Sequence, residues 1–220
     1  MLSYALGYPA SHRRRRPSNE TRLPRLPQLS TINYQPFQTT PMETPLTPLE
    51  FARRTRKLYP ERLAVIDGDS RWTYAHFLDR CDRWSAVLQK LGIGLGDRVA
   101  YLSPNTHAQL ESFYAIPQVG AVLVPLNYRL TADDFVYLIN HSDSRMVCAD
   151  RDYLGAINNI REQLPKVEHF VALSCGVGCP QPNSAWLDYE AMVDGSSGGF
   201  ARPEIHETDL LTINYTSGTT

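Results

Sequence analysis

The chain has 220 residues, 42% hydrophobic and 20% charged, an ordinary balance for a chain that can bury a sizeable core. Its 22 basic and 23 acidic side chains leave a net charge of −1, so nothing in the total points to nucleic acid or an anionic membrane, and small neutral or anionic metabolites stay open. Four scattered cysteines (Cys81, Cys148, Cys175, Cys179) are too few for a disulfide framework in a chain this long, and no apolar run approaches the roughly 18 residues of a membrane helix.

The neutral total hides an asymmetry. Residues 1–41 hold six arginines (Arg13, Arg14, Arg15, Arg16, Arg22, Arg25) against Glu20 alone, so the remainder carries 16 basic and 22 acidic residues, a net charge of about −6. Eight of the sixteen prolines fall within residues 1–48, where no helical or strand period is visible. Residues 1–46 therefore read as a disordered Pro/Arg-rich leader, either an extension upstream of a true start at Met42, the favoured reading, or a transit peptide. The first places the protein in the cytoplasm; the second places it in an organelle such as the mitochondrion. Folded structure is expected over 47–220.

From Thr47 the pattern sharpens. Thr47 as N-cap, Pro48 at the first helical position and Glu50 at the third open a basic helix with Leu49, Phe51 and Leu58 as its apolar positions. Two β-rich runs around Asp67-Gly68-Asp69-Ser70 signal a hairpin. Thr73 then caps a long helix in which Phe77, Leu78, Cys81, Trp84, Val87 and Leu88 recur at three- and four-residue spacing, and Gly92 stops it.

Next, "RVAYLS", "AVLVPLN", "RMVCAD" and "VEHFVAL" read as strands. They alternate with helices in "NTHAQLESFYAIPQVG", "TADDFVYLINHS" and "DYLGAINNIREQL". This βαβ series predicts an α/β fold with a parallel sheet and right-handed crossovers. Thr131 with Asp134 forms a capping box, and Pro117 should shorten the last turn of its helix. "AWLDYEAMV" offers one short strand and one helical turn between loop-rich stretches. Finally, Leu210, Leu211 and Ile213 with Thr212 and Tyr215 read as a short buried strand leading into Ser217-Gly218-Thr219-Thr220.

Most chemical motifs fail on spacing. "GIGLGD" follows a helix and precedes a strand, the reverse of a dinucleotide fingerprint, and no G-x-x-x-x-G-K-[ST] occurs. His76, His107, His141, His169 and His206 show no zinc or triad pattern and are expected in surface or capping roles. Cys175 and Cys179, four apart in "CGVGC", lack a second cysteine pair and read as loop cysteines in a reducing compartment. Ser103 and Ser217 lack a nucleophile elbow. What remains is the terminal loop, whose glycine lets hydroxyls and backbone N–H groups converge on an anion.

That loop, "YTSGTT", resembles the opening of the phosphate-binding motif of the AMP-forming adenylate-forming superfamily, which includes acyl-CoA synthetases, peptide-synthetase adenylation domains and luciferases. "PERLAVIDGDSRWTYAHF", "GDRVAYLSPNTHAQLESFYAIPQVGAVLVPLNYRL" and "INHSDSRMVCAD" resemble the family's amino-terminal region in order and spacing, so the likeness covers about four-fifths of the chain, from near Thr47 to Thr220. The resemblance implies activation of a carboxylate as acyl-AMP with ATP and Mg²⁺, then transfer to coenzyme A. It implies that Thr216, Ser217, Gly218, Thr219 and Thr220 hold the ATP phosphates, and it points most closely to ligases of fatty or related acids. An adenylation enzyme for an aryl or amino acid, or an inactive truncated remnant, are the other readings. The sequence present is less than half of a typical member, so this chain is expected to be an amino-terminal fragment that is not itself catalytic. An exposed apolar face and a tendency to aggregate are expected to follow.

Overall fold

The computed structural model describes residues 45–173 and 186–216. The leader expected over 1–46 falls outside these except for its last two residues, and Cys175, Cys179 and Ser217–Thr220 lie outside them entirely.

The helix α1, Pro48–Leu58, starts as expected, with the Thr47 hydroxyl accepting the Glu50 N–H. Only Leu49 of its three apolar positions is buried; Phe51 and Leu58 are 61% and 51% exposed, because α1 rests on the body along one narrow stripe. β1 (Leu63–Asp67) and β2 (Ser70–Thr73) form the antiparallel hairpin, turning at Gly68 with φ +55°. α2 (Tyr74–Lys90) follows, capped by the Thr73 hydroxyl. After it the chain passes through Gly92 and Gly96, both at positive φ, which settles "GIGLGD" as a helix-to-strand turn.

Five parallel strands make the main sheet: β3 (Arg98–Leu102), β4 (Val122–Pro125), β5 (Ser144–Asp150), β6 (His169–Leu173) and β7 (Leu187–Asp188), ordered β4-β3-β5-β6-β7. Between them run α3 (His107–Ala115), α4 (Ala132–His141), α5 (Leu154–Ile160) and, after β7, α6 (Tyr189–Asp194). Pro117 ends α3 early and begins a separate 3₁₀ turn, as its missing N–H requires. The Thr131–Asp134 capping box is present on α4. "DYLGAINNIREQL", expected as one helix, is a short α-helix between two 3₁₀ turns.

Alternation along the strands divides the core in two. Val99, Tyr101, Met146, Cys148 and Val171 pack on α2, α3 and α6 around the fully buried Trp84. Ala100, Val147, Ala149, Phe170 and Ala172 pack on α4 and α5. Both described cysteines, Cys81 and Cys148, are buried free thiols, and burial raises the pKa of each.

The last run departs from expectation. Leu210 is 59% exposed, and the "buried strand" is a single parallel bridge, Thr212 beside Leu123, on the outer edge of β4. The Leu123 N–H donates to the Leu211 carbonyl at 3.0 Å, and the Ile213 N–H donates to the Leu123 carbonyl at 2.9 Å. An edge position needs fewer apolar contacts than the interior of a sheet, which is why a β-rich pattern alone overstated its burial.

Candidate functional site

Two places carry chemistry. One is the root of the hydroxyl-rich loop. Leu211–Ile213 runs parallel to β4, then leaves the ladder; Tyr215 turns its hydroxyl onto His141 Nδ1 at 2.8 Å, at the last residue of α4. Ile213 and Tyr215 pack on the α4/α5 side of the core, which tethers the strand just before the loop. Thr216, the one site residue within the described range, is exposed. The other four, Ser217, Gly218, Thr219 and Thr220, lie beyond it. The donor set itself fits polyphosphate: neutral hydroxyls and backbone N–H groups donate to anionic oxygens without adding a competing carboxylate. Among the described residues no group of three or more His, Cys, Asp or Glu is placed to hold a metal.

Sequence reasoning missed the second place. His107, expected on the surface or in a cap, sits at the start of α3, beyond the carboxyl end of β3, the sheet edge where open α/β folds bind ligands. Its Nδ1 lies 2.6 Å from Asp67 Oδ2 and its Nε2 lies 2.8 Å from Glu190 Oε1; its backbone N–H also donates to Asp67, at 2.9 Å. A ring that faces carboxylates on both nitrogens donates on both, so it is held as imidazolium. Burial opposes that charge, but the bonds to Glu190 and Asp67 outweigh it and raise the pKa above the ordinary histidine value. Asp67 is lowered, first by the His107 backbone N–H and then by the ring.

Arg80 joins the same cluster. Its Nε donates to Glu111 Oε1 at 2.5 Å, its Nη2 donates to Glu190 Oε2 at 2.9 Å, and its guanidinium lies 4.7 Å from the Trp72 ring centre. Glu111 is wholly buried and also accepts the Tyr189 hydroxyl. Burial raises the Glu111 pKa while Arg80 pulls against it. Burial also opposes ionisation of Glu190, yet His107 and Arg80 leave its pKa lowered. Each acid here has a cationic or N–H partner, so the cluster is an ionic clasp that locks the hairpin, α3 and α6 together. A cavity of about 250 Å³ opens beside it, lined by Asp67, Thr106 and His107 and by the half-exposed Leu110 and Phe113.

A signal was available in the sequence. Arg80 falls three residues after Phe77 and four before Trp84, on the apolar stripe of α2, and a charge on that stripe requires a buried partner. His107 and Glu111 are likewise four apart on α3. Nothing in the sequence linked them to Glu190, far along the chain.

Comparison with known proteins bears on the family of the chain. The chain is 35% identical over 181 residues to 4-hydroxybutyrate–CoA ligase 2 of Metallosphaera sedula, covering 80% of this chain and 32% of that protein. It is 32% identical over 189 residues to the peroxisomal benzoate–CoA ligase of Arabidopsis thaliana, with the same two shares, and 31% identical over 188 residues to the long-chain-fatty-acid–CoA ligase of Thermus thermophilus, covering 84% and 33%. Thus it spans about a third of the length of these curated relatives. Among solved structures, it superposes on the Mycobacterium tuberculosis fatty acyl CoA synthetase with TM-score 0.66 and 28% identity, covering 76% of this chain and 32% of that one. The anthranilate CoA ligase AuaEII shares the fold, with TM-score 0.74 at 23% identity, covering 81% and 34%. The profile of the AMP-binding enzyme family matches residues 52–220, and the chain belongs to that family.

Proposed function

We propose that this chain is the amino-terminal part of an ATP-dependent, AMP-forming acyl-CoA ligase, and that its loop Thr216, Ser217, Gly218, Thr219 and Thr220 receives the ATP phosphates. One observation carries the reading: Leu211–Ile213 joins a parallel sheet as its outermost segment immediately before a glycine-containing run of hydroxyls, the strand-then-loop order that phosphate cradles use. ATP with Mg²⁺ supplies the leaving pyrophosphate and the charge neutralisation when bound. The chain's own part is to orient the phosphates: Gly218 permits the close backbone approach, and the hydroxyls of Ser217, Thr219 and Thr220 donate to oxygens. The relatives' names span 4-hydroxybutyrate, benzoate and long-chain fatty acids, so the substrate class is a carboxylic acid, with a fatty or related acid as the first reading and an aryl acid as the second. Coenzyme A is the acyl acceptor on the same reading.

Titration of the 220-residue chain with Mg·ATP tests the loop. Binding should be measurable and should weaken roughly ten-fold or more in Gly218→Val and in Thr219→Val, at about 1.5 kcal/mol for a charge-assisted hydrogen bond. Equal binding by both variants, or none by the parent, refutes the assignment. Since the chain spans about a third of its relatives, we propose that it does not turn over by itself. Carboxylate-dependent exchange of pyrophosphate into ATP by the purified chain would overturn that.

A further inference from the structure

The exposed side of α1 is the feature that neither the ionic clasp nor the loop uses. Phe51 and Leu58 lie seven residues apart, hence on one face, with Arg54 between them. They are 61% and 51% exposed, and Leu46, just before the cap, is 76% exposed. A cavity of about 350 Å³ lies between Leu46 and Phe51, rimmed by Arg53, Arg54 and Lys57. Single exposed apolar residues are ordinary; two large ones on one face of a helix, with a third just before its cap and bases among them, are not.

Charge supplies the second observation. Two of the four basic side chains of α1 are spent: Arg53 pairs with Glu50, and Arg56 pairs with Asp82 at 2.6 Å. Arg54 and Lys57 have no ion pair or hydrogen-bond acceptor among the described residues. The patch is thus locally cationic on a body whose net charge beyond residue 41 is about −6.

From this we infer that α1 is a docking face for an anionic lipid surface, on which Phe51, Leu58 and Leu46 enter the headgroup boundary while Arg54 and Lys57 meet lipid phosphates. The shape favours a plane over a peptide. A stripe carried on a single helix can lie tangent to a membrane, whereas a partner helix needs a groove between two elements. The mixture of bulky apolar and unpaired basic side chains on one face is what interfacial helices use. This inference stands apart from the nucleotide reading and would survive its failure.

Flotation of the 220-residue chain with vesicles of neutral phosphatidylcholine, and with vesicles that add phosphatidylglycerol, tests it. Binding should appear with the anionic vesicles only and fall as salt rises. Arg54→Ala with Lys57→Ala should weaken it about thirty-fold, the usual worth of two basic side chains near an anionic surface. Phe51→Ser with Leu58→Ser, both at exposed positions, should weaken it by a similar factor while circular dichroism stays unchanged. If neither pair of substitutions alters binding, the arginines of residues 1–41 are the anchor and the inference fails. Absence of binding overturns it as well. So does self-association in size-exclusion chromatography that the Phe51→Ser, Leu58→Ser chain loses, since the face then belongs to a second copy.

Discussion

Replacing Arg80 with Met tests the clasp most directly. The substitution keeps the aliphatic stem, which packs on the apolar stripe of α2, and removes the charge. Glu190 loses its bonds to Arg80 but is 32% exposed and can be rehydrated. Glu111 cannot: its side chain is 0% exposed, and without the guanidinium only the Tyr189 hydroxyl remains on a buried carboxylate. Stranding one member of a buried ion pair costs about 3–5 kcal/mol. Against a total stability on the order of 5–15 kcal/mol this is a large fraction. With a urea slope of about 2 kcal/mol per molar, the unfolding midpoint should fall by roughly 2 M. The assay is urea unfolding followed by tryptophan fluorescence, for which Trp84 in the core and Trp72 beside Arg80 are reporters. The double variant Arg80→Met, Glu111→Gln removes the stranded charge and keeps an acceptor for Tyr189, so it should recover to within about 1–2 kcal/mol of the parent. The single variant's deficit should also shrink as pH falls, because a buried carboxyl whose folded pKa is raised is relieved by protonation. A single variant that loses less than about 1 kcal/mol, or a double no better than the single, refutes the reasoning.

Three further outcomes follow from the same structure. His107 has a folded pKa raised above its unfolded value near 6.5, so its stabilisation is complete below that value and is lost as pH rises through the folded one. His107→Gln should flatten the decline in stability on the alkaline side of pH 6.5, measured by urea midpoints across that range; an unchanged slope counts against the imidazolium assignment. Asp67 runs the other way, its lowered pKa giving stability that is present above the ordinary carboxylate range and lost as pH falls through its folded value, and Asp67→Asn should soften the acid limb. Gly120→Ala should cost about 1–3 kcal/mol. Its φ is +79°, and a Cβ there would stand 3.2 Å from the Leu95 Cα, which cannot swing away as a side-chain tip could; a neutral thermal melt would contradict this.

Local rules made most of the fold legible. Thr47, Thr73 and Thr131 announced helix starts, Gly92 announced an end, and alternating strands and helices announced a parallel sheet. Each is a signal between residues close in sequence. Failures came where tertiary contact decides. Phe51 and Leu58 look like core residues by period, but which stripe of a helix meets the body is not written in the helix itself. The terminal run looked buried because β propensity does not distinguish a sheet's edge from its middle. His107 looked isolated because its partners, Asp67 and Glu190, are 40 and 83 residues away. The terminal hydroxyl run stood out first by elimination and by its glycine and hydroxyl chemistry, then by resemblance to a family, and the family is what the comparisons support.

The attachment of Leu211–Ile213 to β4 has a consequence for solubility. An outermost parallel strand with bare N–H and C=O groups is a template for pairing with another chain. Leu211 and Ile213 occupy that row on β4, with two backbone bonds to Leu123. The same short segment therefore both carries the hydroxyl loop and shields the sheet's rim. Anything that peels it away, whether a proline placed at Ile213 or a cut upstream of Leu211, would take Leu211–Ile213 off the sheet and turn β4 into an adhesive edge.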